Sequence, residues 1–243
     1  MIARNLAAPR LRHRVVGVIT SPAELDFAIR MGDPPDLFEL RLDRLVRPPS
    51  HGSSVPGAVD RLEKKISTLR ASLIITARHP AEGGANRLPS GQRYSLLARF
   101  LSRARYIDVE LRSAPLLRSL LRLAQKQNTR RIISVHHLKS TPFADRLRTQ
   151  ARAAKTYGAD IFKLATRTDT PAQLTRLIDF VAVKNVDVAV SAMGIGKLGA
   201  ASRVLLACCG SALVYVSVAA ATDIEGQISL EQLRALGFAA LKR

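Results

Sequence analysis

Eight short apolar runs recur along this 243-residue chain, and their spacing limits its fold more than any other feature. They are "VVGVIT" from Val15, "LFELRL" from Leu37, "SLIITAR" from Ser72, "YIDVEL" from Tyr106, "RIISVHH" from Arg131, "DIFKLA" from Asp160, "VDVAVSAM" from Val186 and "SALVYVSVA" from Ser211. Each is short and rich in β-branched residues, the pattern of a strand buried on both faces. They start 22 to 35 residues apart, the pace of a strand plus a crossover helix. Segments of helical period lie between them. "SPAELDFAIRMG" has Ser21 as its N-cap, Pro22 at its first position and Gly32 to end it; "KTYGAD" ends a helix at Gly158. Eight such units favour a single-domain (β/α)8 TIM barrel over an open doubly wound sheet. No G-x-G-x-x-G turn follows the first run, which weakens a nucleotide-binding reading. The division expected is a loose basic segment at 1–14 and a barrel over 15–243, with the Pro/Gly/Ser-rich stretch 47–57 as a surface loop.

Composition sets the remaining bounds. With 47% hydrophobic residues and no Trp, the core must be built from Leu, Ile, Val and Ala. The net charge of +19 is spread along the chain instead of forming one block, which suits an anionic substrate better than a nucleic-acid partner. The adjacent Cys208 and Cys209 lack metal or disulfide spacing and read as small core residues in a reducing compartment. No secretory apolar stretch opens the chain and no run of 18 uncharged apolar residues follows, so a cytoplasmic protein without a membrane partner is expected.

Barrels of this kind build their sites at the C-terminal ends of the strands. Those ends carry Glu39 and Arg41, Arg78 followed by Glu82, Asp108 and Glu110, His136 and His137, Lys163, Met193, Arg203 and Gln227. Lys163 is the least ordinary of these, because it interrupts an apolar strand. Unpaired burial lowers a lysine towards a neutral, nucleophilic amine, the basis of Schiff-base chemistry. A structural Lys163–Glu110 pair across the barrel is the equal alternative.

The ordered motifs "ELRLD" (39–43), "TARHPAEGG" (76–84), "YIDVEL" (106–111), "SVHHLKSTP" (134–142), "DIFKLA" (160–165), "SAMGIGKLGAASR" (191–203), "GSALVY" (210–215) and "GQISLEQL" from Gly226 resemble those of type I 3-dehydroquinate dehydratases. That resemblance implies a (β/α)8 barrel, usually homodimeric, that dehydrates 3-dehydroquinate through a lysine imine without metal or cofactor. It implies Lys163 as the imine lysine, His136 as the acid/base and Glu82 as the group orienting that histidine. Glu39, Arg41, Arg78, Arg203 and Gln227 match substrate-binding positions, with Arg203 forking the substrate carboxylate. His137 is expected to face away, and Lys163→Met to spare the fold. In the family the last loop commonly reads Ser-Ala-Pro-Gly-Gln. Here it is Asp223, Ile224, Glu225, Gly226 and Gln227, so Asp223 is expected to weaken substrate capture. The acidic loop also leaves open a lysine-imine lyase or aldolase for another anionic keto compound. A basic nucleic-acid-binding barrel is the more distant alternative.

Overall fold

The computed structural model of the protein describes residues 13–46, 55–85, 88–183, 186–219 and 224–238. Eight parallel strands form its sheet: β1 (Arg14–Ile19), β2 (Leu37–Arg41), β3 (Ser72–Thr76), β4 (Tyr106–Glu110), β5 (Arg130–His137), β6 (Ile161–Arg167), β7 (Ala189–Ile195) and β8 (Leu213–Ser217). They follow one another in chain order around the sheet, and β8 returns to pair with β1 through Val16↔Tyr215 and its neighbours. Helices α1 (Pro22–Ile29), α2 (Leu42–Leu45), α3 (Val55–Ile66), α4 (Ser90–Phe100), α5 (Arg118–Lys126), α6 (Ala144–Thr156), α7 (Pro171–Ala182), α8 (Gly199–Cys208) and α9 (Leu230–Ala235) accompany the strands. The barrel expected from strand spacing is the one observed.

Local chemistry explains the helix ends. Ser21 Oγ accepts from the Glu24 amide (3.2 Å) while Glu24 accepts from the Ser21 amide (3.1 Å), a reciprocal cap. Thr170 and Gln173 repeat it on α7. Gly158 takes φ 78° after α6, where an added Cβ would meet the Arg131 guanidinium.

Several boundaries differ from the expectation. α1 stops at Ile29, before Gly32, and the first strand starts at Arg14; residues 1–12 lie outside the described residues. α3 begins at Val55, inside the stretch read as loop, and 47–54 are not described. Of the two cysteines read as core residues, Cys209 is part-buried and packs against the core, whereas Cys208 is exposed, because Leu206 and Ala207 take the inward face of α8. Among the described residues, no helix is long and apolar enough to cross a membrane.

The seam between β7 and β8 is closed by a different device from the other seven. The Ala212 amide donates to Val190 O (2.8 Å), Ser191 Oγ donates to Leu213 O (3.1 Å), and the Ala192 amide donates to Ser211 Oγ (3.1 Å). Serine hydroxyls here satisfy backbone groups that a regular ladder would pair. Two cores result from the closure. Leu, Ile, Val and Phe side chains fill the space between sheet and helices, while Val16, Leu37, Ile74, Ile132 and Leu213 plug the barrel interior. Tyr106 belongs to this plug, and its hydroxyl accepts from Arg14 (2.9 Å).

Candidate active site

Above the apolar plug lies a polar layer, and barrel geometry explains its membership. Hydrogen-bond register puts Lys163 beside Ser134, and Ser134 beside Glu110. Strands in such barrels tilt, so the side chain level with a given residue shifts by about one position per strand. Two strands from β6 the level residue is therefore Asp108, two further on it is Glu39, and β8 supplies Tyr215. Lys163 touches all three. Its Nζ donates to Asp108 Oδ2 (2.8 Å) and Glu39 Oε1 (2.9 Å), and it lies 3.9 Å from the centre of the Tyr215 ring. This is one layer of four side chains from alternate strands, with a cation, two anions and an aromatic face where such barrels usually place aliphatic residues. The lysine is 2% exposed, so it does not snorkel.

The Lys163–Glu110 pair suggested by sequence is absent. Glu110 instead accepts from Arg93 of α4 (2.5 Å) and from the His79 amide (2.8 Å), and Arg78 lies 3.5 Å from it. Arg78 also pairs with Asp108 (3.2 Å) and Glu39 (3.5 Å). Lys163, Arg78 and Arg93 thus face Glu39, Asp108 and Glu110 in one buried, connected and charge-balanced set. Burial alone would raise the Glu39 carboxyl, but Lys163, Arg78 and Arg41 hold it below its ordinary range.

His136, next to last in β5, lies beside this set. Its Nδ1 meets Glu82 Oε2 at 2.8 Å, and its backbone amide donates to the same oxygen (3.0 Å). Nδ1–H donation to Glu82 leaves Nε2 as an acceptor, and Arg78 Nη1 contacts it. Burial, then the Arg78 and Lys163 charges, push the imidazole well below its ordinary pKa, so it rests neutral. Burial and the neighbouring Glu110 charge raise Glu82 to about 7 against the pull of Arg78. Glu82 sits in a short 3₁₀ turn, Pro80–Glu82, anchored by the His79–Glu110 contact. His137 points to the other side of the strand, with Nε2 2.9 Å from Gln150 Oε1 on α6.

The remaining arginines have divided roles. Arg41 grips Asp43 with two nitrogens (3.0 and 2.8 Å), and Asp43 also accepts from the Arg78 and Ala85 amides. Arg203 of α8 donates from Nε to Tyr215 O (2.9 Å) and from Nη1 to Gly194 O (2.9 Å), Gly199 O (2.9 Å) and Gly226 O (2.5 Å). It therefore binds the two sides of the β7–β8 seam together. Burial lowers its pKa to about 10, and among the described residues no carboxylate compensates it. Its Nε and Nη1 are taken up by these carbonyls, and its Nη2 makes no hydrogen bond within the described residues.

One cavity of about 400 Å³, within the size range of small-molecule sites, opens over this polar layer. Lys163, His136, Glu82, Glu39, Arg41, Arg78, Arg203, Gln227 and Met193, each singled out from sequence, line it together. Asp223 lies outside the described residues. Sequence reasoning missed Tyr215, Arg167 and Arg44, which also line the cavity, and Arg93, buried behind it. Tyr215 and Arg167 were findable, since they follow the alternation of β8 and β6. Arg93 was not, because nothing on an arginine-bearing amphipathic helix marks which arginine turns inward. Among the described residues, no group of three or more His, Cys, Asp or Glu is placed to hold a metal ion.

Comparison with known proteins agrees with the barrel fold. A family model described as Type I 3-dehydroquinase matches residues 23–239. A 3-dehydroquinate dehydratase of Latilactobacillus sakei subsp. sakei is 32% identical, covering 83% of this chain and 82% of its own. One from Desulfotalea psychrophila is 29% identical, covering 91% and 94%. Among solved structures, the 3-dehydroquinate dehydratase of Aquifex aeolicus VF5 superposes with a TM-score of 0.75 at 25% identity, over 92% of this chain and 96% of that one.

Proposed function

The chain belongs to the type I 3-dehydroquinase family, and from that premise we propose that it dehydrates 3-dehydroquinate to 3-dehydroshikimate through an imine on Lys163. The observation that carries the residue assignment is the polar layer: a buried lysine at the floor of a cavity, with proton acceptors at 2.8 and 2.9 Å.

The steps follow from the neighbours. The Lys163 ammonium lends a proton to Asp108 or Glu39, the freed amine adds to the substrate ketone, and the lent proton returns to the carbinolamine hydroxyl, which leaves as water to give an iminium. The face of Tyr215 favours that cation at the same nitrogen. His136, neutral at rest, removes the proton next to the iminium carbon, and the electron pair moves into the iminium to give an enamine. For this the Arg78–Nε2 contact opens, and Glu82 supports the imidazolium across its 2.8 Å contact. The imidazolium then returns its proton to the departing hydroxyl. Hydrolysis of the conjugated imine frees product and amine, for a net loss of one water. The Arg203 Nη2 meets the substrate carboxylate, while Glu39, Arg41, Arg78 and Gln227 bind the ring, with Met193 packing beside them. We further infer a cytoplasmic homodimer, in line with the family.

The direct test is the rise of enone ultraviolet absorbance when purified protein meets 3-dehydroquinate, together with borohydride trapping of a ligand-sized mass on the peptide containing Lys163. Absence of both overturns the reading, and an adduct on another lysine overturns the assignment.

Glu82 makes the pH dependence specific. Below about 7 it holds a proton and cannot support the imidazolium; above, it is ionised. kcat/KM should therefore rise with pH through an acid limb near 7 that belongs to the Glu82–His136 pair. In Glu82→Gln the limb should leave the range of about pH 6 to 8, with the plateau lowered roughly tenfold or more. A limb unmoved by the substitution means another group titrates.

A further inference from the structure

The last loop carries an acid close to a site that must accept a carboxylate, and the structure shows where its charge goes. Glu225 lies on the cavity rim, two positions before Gln227, and its carboxylate meets Arg167 Nη1 at 2.9 Å. Arg167 ends β6, on the same inward alternation as Lys163 and Ala165, and all three line the cavity. Its Nε is held by Asp169 (2.7 Å), whose other oxygen accepts from the Lys197 amide (2.9 Å). The guanidinium is thus aimed at the loop from a fixed base. Two backbone contacts continue the dock: the Gly196 amide donates to Glu225 O (3.0 Å), and Arg203 Nη1 donates to Gly226 O. Gly226 adopts φ 75° with its Cα face against Gly196 and Gly199, where an added Cβ would sit 2.3 Å from Gly196 O.

We propose that Arg167 and Glu225 are a positioning pair for the proposed dehydration, clamping the last loop to the end of β6 so that Gln227 faces the substrate and the Glu225 charge is kept off its carboxylate. The proposal rests on the dehydratase reading for its kinetic consequence, though not for the clamp itself. Both side chains are part-exposed, Arg167 at 33% and Glu225 at 53%, so the effect is modest and screened by salt.

Arg167→Ala and Glu225→Ala should each raise KM for 3-dehydroquinate about two- to fivefold, the range of exposed ion pairs, with kcat changed less than about twofold. The double variant should be no worse than either single one, which is the mark of a shared interaction. Arg167→Lys should restore KM towards wild type. Hydrogen exchange without substrate should quicken in both Ala variants across peptides spanning 196–199 and 224–227, and not in Arg167→Lys. A fall in KM for Glu225→Ala would mean that the acid repels substrate, and additive effects would mean that Arg167 binds substrate by itself. Unchanged exchange would mean that the pair holds nothing. Each of these overturns the clamp. The exchange measurement needs no turnover, so an inactive wild-type protein would sink the dehydratase reading while leaving the clamp separately decidable.

Discussion

Lys163→Met should abolish turnover, by roughly 10³-fold or more as when the nucleophile of a concerted set is removed, and should also weaken the fold. The first loss follows from the missing amine and should be accompanied by loss of the borohydride adduct. The second departs from the expectation drawn from sequence, where methionine simply suits an apolar strand. Lys163 is one of three cations balancing three buried carboxylates, and its removal leaves Arg78 as the one cation ion-paired with both Asp108 and Glu39 among the described residues. Breaking a buried pair from one side costs about 3–5 kcal/mol. Lys163→Met/Asp108→Asn restores the charge balance and should recover most of that stability without recovering any activity. Urea unfolding of wild type, single and double variants measures the first effect, and the enone assay the second. A single variant as stable as wild type would show that one carboxylate takes up a proton cheaply. Residual turnover at wild-type KM would show that Lys163 is not the imine lysine.

His136→Ala should lower kcat at least about a hundredfold, the lower range for lost acid–base catalysis, while His137→Ala stays within a few-fold. The two histidines are adjacent in sequence but face opposite sides of β5. His136 meets Glu82 and Arg78, whereas His137 meets only Gln150 among the described residues. Because His136 rests neutral, its removal strands no buried charge on the ring itself, and the fold should survive. Borohydride should still trap an adduct on Lys163 in His136→Ala, since the amine remains. The opposite ranking of the two variants would reverse the assignment.

Strand number, order and barrel closure were readable from the spacing of apolar runs, because a strand buried on both faces leaves a signal that needs no partner. Part of the cavity lining was readable for a related reason: Glu39, Arg41, His136, Lys163 and Met193 sit on strands, where alternation decides which way each points, whereas Glu82, Arg203 and Gln227 lie in the segments that follow strands. What alternation leaves undecided is height. Asp108 and Glu110 share a face of β4, and the backbone ladder puts Glu110 level with Lys163. Strand tilt moves the meeting point down to Asp108, and that tilt belongs to the closed barrel instead of any one segment. The same shift brings Tyr215 under the lysine. Arg93 and the Arg167–Glu225 pair were hidden for a second reason. Their partners lie far away in sequence, on a helix interior and in a loop, where no period links one residue to the other. The acids of the last loop therefore looked like a threat to substrate capture, and Glu225 proves to have its own cation.

The balanced charge layer also governs how such a chain can drift. An enzyme whose catalytic group stands free on a surface can become an inert but well-folded relative through one change. Here the catalytic candidate is also a counter-ion, so losing the lysine alone gives a less stable protein, and a loss of only 1–2 kcal/mol already lowers cellular abundance several-fold. A folded, silent descendant would need a compensating change at Asp108 or Glu39 in the same lineage. Quality control on folding thus acts, without any sensing of catalysis, as a guard on Lys163.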